Sequence, residues 1–301
     1  MDKATVFGGS GFLGSHVADE LTARGFEVKI FDIVNSPYLQ SDKQEMIVGD
    51  LLSYDDVLNA TKGSKYVFHF AGQADIGRSK EKPLDTIQQN ILGTTNVLEA
   101  CRATKVSHFF FASSIYVYSE FGSIYKSSKQ ACEILIESYE EEYGLKSSIL
   151  RYGSLYGKRA NGFNFIHQAI KSALEFGVIE RIGKGDEVRE YIHVVDAAKI
   201  TVDLIEKNGD NRHFIITGHQ SIRVNEMLTM IKEMLGSKVE IKYSEGKMDG
   251  HYFFTPYTFK PRVARKIIPT DIHDLGQGIL DTIYEVYENL DEDLKHKVNI
   301  K

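Results

Sequence analysis

Tyr125 and Lys129 stand four residues apart in the stretch SSIYVYSEFGSIYKSSK (residues 113–129), and Ser114 lies near its start. On a helix beginning at Tyr125, that spacing puts the lysine one turn later on the same face. A phenol with a pKa near ~10 is a poor base at neutral pH. An ammonium beside it favours the phenolate and lowers that value. Such a tyrosinate could take a hydroxyl proton while the substrate carbon gives up hydride, with Ser114 hydrogen-bonded to the same oxygen. The ordinary reading is a helix start without chemistry, because Tyr-x-x-x-Lys is a common spacing. The elements around the stretch have to decide.

Those elements alternate between strand-like and helix-like patterns. ATVF (4–7), EVKIFD (27–32), EMIVGD (45–50), KYVFHF (65–70), HFFFAS (108–113) and KSSILRY (146–152) read as strands. Helical patterns cover about 13–24, 84–104 and 125–143, the last with Ala131, Ile134, Leu135, Ser138 and Tyr139 on one broad face. This β–α alternation predicts an α/β fold, a doubly wound parallel sheet of the Rossmann kind covered by helices on both sides. After Arg151 the rhythm loosens into GSLYGKRANGFN, followed by helices near 194–207 and 224–235 and a strand at 213–217. Residues 1–153 are expected to form the dinucleotide-binding domain. Residues 154–301 are expected to form mainly a smaller substrate lobe, with about 190–218 returning to the sheet.

The first turn, GGSGFLGSH, supplies the strongest context for the tyrosine. Gly8, Gly11 and Gly14 follow the first strand and open a helix through Phe12 and Leu13, and the next strand ends in Asp32. Glycines let the backbone approach a pyrophosphate, and a helix N-terminus offers free N–H groups and a positive dipole end. Asp32 can accept hydrogen bonds from the ribose hydroxyls of NAD and would repel the extra phosphate of NADP. NAD is therefore the expected cofactor. GDLL places Asp50 and Leu51 where an adenine would lie, and HFAGQAD places Phe70, Ala71 and Gly72 beside the diphosphate and ribose. Either of these, alone, is an ordinary strand end with a turn.

Composition narrows the classes further. The 301 residues are 42% hydrophobic and carry a net charge of −6, which suits a globular enzyme and disfavours a general nucleic-acid binder. Two distant cysteines, Cys101 and Cys132, read as reduced thiols on helices and suggest a cytoplasmic protein. No signal-peptide pattern and no membrane-length apolar run is visible. His69 and the pair His193 and Asp196 lack a third convergent ligand, so no metal is expected. Cys132 reads as packing, and the basic stretch FKPRVARK (259–266) as a solvated face or a neighbour of substrate phosphates.

Taken in order, GGSGFLG, Asp32, GDL, HFAG, Asn90, SSIYVY, YKSSK, RYGSLYG and GKGDEVREYIHVVDAA resemble the extended short-chain dehydrogenase/reductase family. The resemblance is to its NAD-dependent nucleotide-sugar epimerases and dehydratases of the UDP-galactose 4-epimerase type, and it covers nearly the whole chain. It implies that Ser114, Tyr125 and Lys129 are catalytic, that Asn90, Lys129 and Tyr152 belong to the cofactor site, and that Arg189 grips a substrate diphosphate. The ordinary reading of Arg189 is a surface arginine. Ser154 replaces the family's Asn after RY, and His251 stands near the expected place of a late arginine; both are taken as substrate-binding. Many relatives pair through the outer faces of the 84–104 and 125–143 helices, which implies a homodimer.

Two departures shape the expected activity. Only ten residues separate Ser114 from Tyr125, where relatives carry a longer loop that shapes the sugar pocket. Ile115 and Tyr116 stand where 4,6-dehydratases have Asp and Glu, which demotes dehydration. The expected reaction is oxidation at C4 of a nucleotide-diphosphate sugar within a 4-epimerase cycle. The alternative is a 4-dehydrogenase releasing a 4-keto product, for instance from a GDP-linked heptose of surface-polysaccharide biosynthesis. A non-catalytic NAD-sensing regulator is a third reading, against which the Tyr–Lys pair argues.

Overall fold

Short runs rich in valine, isoleucine and phenylalanine become strands because branched and aromatic side chains pack well on a pleated surface. In chain order the strands are β1 (Lys3–Phe7), β2 (Glu27–Asp32), β3 (Gln44–Val48), β4 (Tyr66–His69), β5 (His108–Ser114), β6 (Ser147–Tyr152) and β7 (Ser154–Tyr156). They continue as β8 (Val178–Ile182), β9 (Val188–His193), β10 (His213–Ile216), β11 (Ser221–Arg223) and β12 (Glu240–Ser244). The helices are α1 (Phe12–Ala23), α2 (Tyr54–Thr61), α3 (Ile76–Glu81), α4 (Pro83–Ile87), α5 (Gly93–Thr104) and α6 (Ser123–Tyr143). The later ones are α7 (Phe165–Phe176), α8 (Val194–Asp203) and α9 (Val224–Leu235). This computed structural model describes residues 1–40, 42–206, 213–236, 239–246 and 250–257, all of them within the unit Met1–Lys260. FKPRVARK (259–266) lies outside the described residues.

Seven strands form one parallel sheet in the order β3-β2-β1-β4-β5-β6-β10. The chain starts in the middle, winds outward to β3, and then returns across β1 to wind the other way. This is the doubly wound arrangement that the β–α alternation predicts. Its reversal between β1 and β4 opens a crevice at the strands' carboxyl ends. One face of the sheet is covered by α1 and α8 through Leu13, Val17, Leu21, Ala197 and Val202. The other is covered by α2, α5 and α6 through Val57, Val97, Leu98, Cys132 and Ile136. Burial on both faces explains the unbroken run of phenylalanines in β5. Phe110 stacks on Phe68 at 4.5 Å on the first face, while Phe109 and Phe111 fill the second. Each such ring, fully buried, contributes roughly 1.5–3 kcal/mol.

Beyond β6 the chain builds smaller pieces. β7 pairs parallel with β9, β11 runs antiparallel to β9, and β12 pairs parallel with β8. A separate core of Ala169, Ala173, Ile179, Val224, Leu228 and Ile231 joins α7, β8 and α9. α8 and β10 instead lie with the large sheet.

One expectation needs correction. The 84–104 pattern is not one α-helix: a π-helical turn at Gln88–Leu92 separates α4 from α5. The buried face of α6 is Tyr125, Ser128, Lys129, Cys132, Glu133 and Ile136, whereas Ile134 is 64% exposed. Hydropathy points the wrong way there because two charged residues face inward, where other groups partner them. Both cysteines are free and buried on helices, Cys101 on α5 and Cys132 on α6. Among the described residues no helix is long and apolar enough to cross a membrane.

His69, at the end of β4, is wholly buried, and burial lowers its pKa to about 3. Its Nε2 lies 3.0 Å from the Thr94 hydroxyl. His108 is lowered to about 4, also by burial. Both fold as neutral rings, so their contribution to stability is complete above pH 6.5. It is lost as pH falls through 6.5 toward 3, where only the unfolded chain takes up the protons. Each adds a slope approaching ~1.4 kcal/mol per pH unit in that window. Urea midpoints measured between pH 7 and 5 should show a shallower slope for His69→Phe than for the unaltered chain; equal slopes would remove His69 from the account.

Candidate active site

The crevice is a cleft of about 730 Å³, within the range of pockets that hold cofactors. Its floor is the turn after β1. Gly8 has φ +80°, and a Cβ there would come within 2.5 Å of the Ala71 backbone nitrogen. A Cβ on Gly14 would lie 2.2 Å from the Gly8 carbonyl oxygen. These contacts bring the β1 and β4 turns together and set α1 against them. Gly11 starts α1 with no side-chain cap, leaving the first-turn N–H groups of Phe12 and Leu13 for an anion.

Asp32, at the end of β2, accepts N–H bonds from Ser10 at 3.0 Å and Ile33 at 2.8 Å. These bonds aim its carboxylate at the glycine turn and leave lone pairs over. Asp50 and Leu51 line the cleft beyond it, Leu51 packed against Gly93 and its carbonyl bonded by Asn96 at 3.0 Å. On the other side Phe70 and Ala71 donate their N–H groups to the Phe7 carbonyl at 2.8 and 3.0 Å. These two and Gly72 line the same cleft. Gly8, Gly11, Phe12, Leu13, Gly14, Asp32, Asp50, Leu51, Phe70, Ala71 and Gly72 thus meet in one place, as do Ser114, Tyr125, Lys129 and Tyr152.

Asn90 has a different position. It is buried in the π-helical turn, where its Oδ1 accepts the Gln73 N–H at 2.7 Å. Its Nδ2 donates to the Gln73 carbonyl at 3.0 Å and to Ser128 Oγ at 2.8 Å. It ties the cleft-lining residues after Gly72 to α6. π-turns of this kind re-aim side chains at functional sites.

Tyr125, 9% exposed, enters the cleft from the first turn of α6. Ser114, at the tip of β5, lines the same cleft. Lys129 Nζ donates to the Ala112 carbonyl at 2.8 Å and lies 5.9 Å from the centre of the Tyr125 ring. Burial dominates the electrostatics here. It pushes the Tyr125 phenol up to about 12, with the Ser114 hydroxyl acting the other way. It also lowers the Lys129 pKa, against Cys132 and Glu133. The Lys129 ammonium is aimed at the Ala112 carbonyl. An added positive charge is what the folded site still needs to favour the phenolate.

Behind the pair lies a network that spacing does not reveal. Glu133, one turn after Lys129, accepts from Arg151 Nε at 3.0 Å and Nη2 at 2.7 Å, and from the Ser113 hydroxyl. Arg151 Nη1 also donates to Tyr118 at 2.5 Å. The bidentate pair fastens α6 to β6 and, through Ser113, to the strand carrying Ser114. Tyr152 is held by Thr201 on α8, hydroxyl to hydroxyl at 2.5 Å.

The three expected substrate residues gather in an adjacent aromatic cluster rather than in this cleft. Ser154 acts on Tyr252, its hydroxyl opposing the rise that burial gives that phenol. Arg189 is buried, its guanidinium 4.1 Å from the Tyr252 ring centre and its Nη1 donating to the carbonyls of Val188 and Phe253 at 3.0 and 3.2 Å. His251 Nδ1 lies 2.7 Å from the Tyr116 hydroxyl. Tyr116 in turn meets the Tyr125 ring edge-on at 6.3 Å. Among the described residues no group of three or more His, Cys, Asp or Glu is gathered as metal ligands would be.

Residues 4–217 match the NAD dependent epimerase/dehydratase family. The chain belongs to that family. It is accordingly an NAD-dependent oxidoreductase of the epimerase/dehydratase type. A UDP-glucose 4-epimerase of Corynebacterium glutamicum is 28% identical over 269 residues, covering 79% of this chain and 82% of the relative. The structure of UDP-glucose 4-epimerase from Thermotoga maritima with UDP-glucose superposes with a TM-score of 0.77 at 26% identity, covering 85% of this chain and 90% of that one. The Thermus thermophilus UDP-glucose 4-epimerase in complex with NAD gives 0.75 at 26% identity, with the same coverages. The glycine turn, the uncapped α1 and the carboxylate of Asp32 fit the family's cofactor. Asp32→Ala should weaken NAD binding about ten- to a hundredfold, the loss of a charge-assisted bond, and narrow its preference over NADP. Titration calorimetry with both cofactors checks this; an unchanged preference would show that Asp32 does not read the ribose.

Proposed function

We propose that this chain oxidises C4 of a nucleotide-diphosphate sugar within a 4-epimerase cycle. The observation that carries the reading is that Ser114, Tyr125 and Lys129 line the same cleft as the glycine turn and Asp32. In this reading Gly8, Gly11, Phe12, Leu13 and Gly14 hold the pyrophosphate. Asp32 holds the ribose, Asp50 and Leu51 face the adenine, and Phe70, Ala71, Gly72, Lys129 and Tyr152 hold the remainder, with Asn90 bracing the wall. Bound there, NAD supplies a hydride acceptor and one positive charge. Tyr125 takes the C4 hydroxyl proton and returns it later, Ser114 steadies the sugar oxygen, and Lys129 helps hold the phenolate once its burial is offset.

Residues 1–153 with α8 and β10 form the cofactor domain in this account, and the remainder of 154–301 the substrate lobe. Ser154, Arg189 and His251 bound the nucleotide side, which requires Arg189 to turn from the Phe253 carbonyl toward a phosphate. Leu84, Ile87, Leu92 and Ile134 are exposed on α4, the π-turn and α6, and a homodimer would bury them. Sizing by light scattering reads that directly.

A second reading, the 4-dehydrogenase, draws on the short path from Ser114 to α6. A single 3-10 turn, Ile115–Tyr118, is the only element between them, which leaves room for a large sugar. The test is an NMR assay with NAD and a panel of UDP-, GDP-, CDP- and dTDP-sugars. A C4 epimer without net NADH supports the epimerase; a 4-keto sugar with NADH supports the dehydrogenase. No turnover of any panel member would sink both.

A further inference from the structure

After β7 the chain crosses the outer side of α1 before α7 begins, and it is fastened there. Arg159 Nη1 lies 2.8 Å from Asp19 Oδ2 on α1, the side chains only 15% and 21% exposed. The contact is a charge pair rather than an aligned hydrogen bond. The same guanidinium lies 4.5 Å from the centre of the Tyr38 ring, in the segment that follows Asp32. One residue earlier, the Lys158 carbonyl meets His16 Nε2 of α1 at 3.0 Å. Asp19 is itself braced, its Oδ1 accepting from Gln44 at 3.0 Å. Arg159 sits at φ +66°, a left-handed conformation that non-glycine residues adopt only when contacts hold them in it.

Past this anchor the segment returns to the cleft. Asn161, Phe163 and Asn164 line it together with the glycine turn and Asp32. Asn161 Oδ1 is buried and meets no protein donor. Asn164 fixes the far end, donating to the Leu155 carbonyl at 2.8 Å and capping α7 through the His167 N–H.

We propose that Arg159 is a positioning residue that straps segment 157–164 across the cofactor cleft and sets how long NAD stays, with Asn161 offering the dinucleotide an acceptor. The inference rests on NAD binding in this cleft and not on the chemistry at C4. The anchor joins the strap to α1 and to the segment after β2, the two parts that carry the pyrophosphate and ribose sites. Opening the strap breaks the ion pair and the cation–π contact together, so both resist release. A cofactor held in this way suits a reaction that hands its hydride back within one turnover. The strap therefore favours the epimerase over the dehydrogenase.

Release is measured with the fluorescent analogue ethenoadenine NAD, chased by excess NAD in a stopped-flow instrument, with no sugar present. Arg159→Ala and Asp19→Asn should release it about tenfold faster with little change in association, since such changes fall mostly on the off-rate. Arg159→Lys, which keeps the charge, should fall between. Raising salt from about 0.05 M to about 0.5 M should speed release from the unaltered protein more than from Arg159→Ala, because screening removes what the variant already lacks. Release rates within twofold of the unaltered protein in both variants would overturn the proposal, as would equal salt dependence. If Arg159→Ala fails to fold, Asp19→Asn decides alone, because it preserves the side-chain outline and the Gln44 contact. A sugar panel that gives no turnover would leave these rates untouched, so the two readings fail separately.

Discussion

Tyr125→Phe is expected to lower turnover about 10²–10⁴-fold, the range for losing a positioned general base, while NAD binds as before. The substitution removes one oxygen and keeps the ring. Tyr125 is 9% exposed and opens α6 from a wall that the ring helps to form, so the cleft should keep its shape. The phenol lost would be the one that lines the cleft with Ser114. Lys129 cannot substitute as a base, since its Nζ is aimed at the Ala112 carbonyl. Steady-state kinetics and NAD titration on one preparation separate the effects. Turnover within about threefold of the unaltered chain would exclude Tyr125 as the base.

The second large effect is at the other end of the cleft. Gly14→Ala should abolish NAD binding under conditions where the unaltered chain is saturated, and lower stability by about 1–3 kcal/mol, the usual range for overpacking. The new methyl would stand 2.2 Å from the Gly8 carbonyl oxygen and 3.1 Å from Gly9 Cα. Both neighbours are backbone, so no rotamer can relieve the contact. α1 must move away from the β1 turn, taking its free N–H groups with it. Gly63→Ala is the control: it has a positive φ, which Gly14 does not, and nothing lies within 4 Å of its added Cβ. It should cost stability from backbone strain alone and leave NAD binding intact. Differential scanning calorimetry with and without NAD reads both quantities. If NAD stabilises Gly14→Ala as much as it does the unaltered chain, the glycine turn is not the pyrophosphate site.

What was legible in the sequence follows the range of the interactions involved. The glycine turn and Asp32 lie close together in the chain, and Tyr125 and Lys129 within one helical turn, so spacing marked them as candidates and their order along the chain raised them above the ordinary reading. The parallel sheet was legible because strands buried on both faces read as unbroken apolar runs. The partners that complete the site come from far away. Glu133 and Arg151 are 18 residues apart, Tyr116 and His251 135, and His16 and Lys158 142. No pattern within a window could join them. The buried face of α6 was not legible for the same reason: Lys129 and Glu133 turn inward because Ala112 and Arg151 await them from the strands. The π-turn around Asn90 was hidden because its residues continue a helical pattern. β7 and β11 have three residues each, too few to show alternation.

The central claim is that C4 of the sugar is oxidised and then reduced at its other face. Its most direct test uses the sugar identified in the panel, carrying deuterium at C4 and turned over in ordinary water. The account predicts that the product epimer keeps the deuterium at C4, with none exchanged into solvent. Loss of the label to water would contradict it, because that would mean the carbon surrenders a proton rather than a hydride.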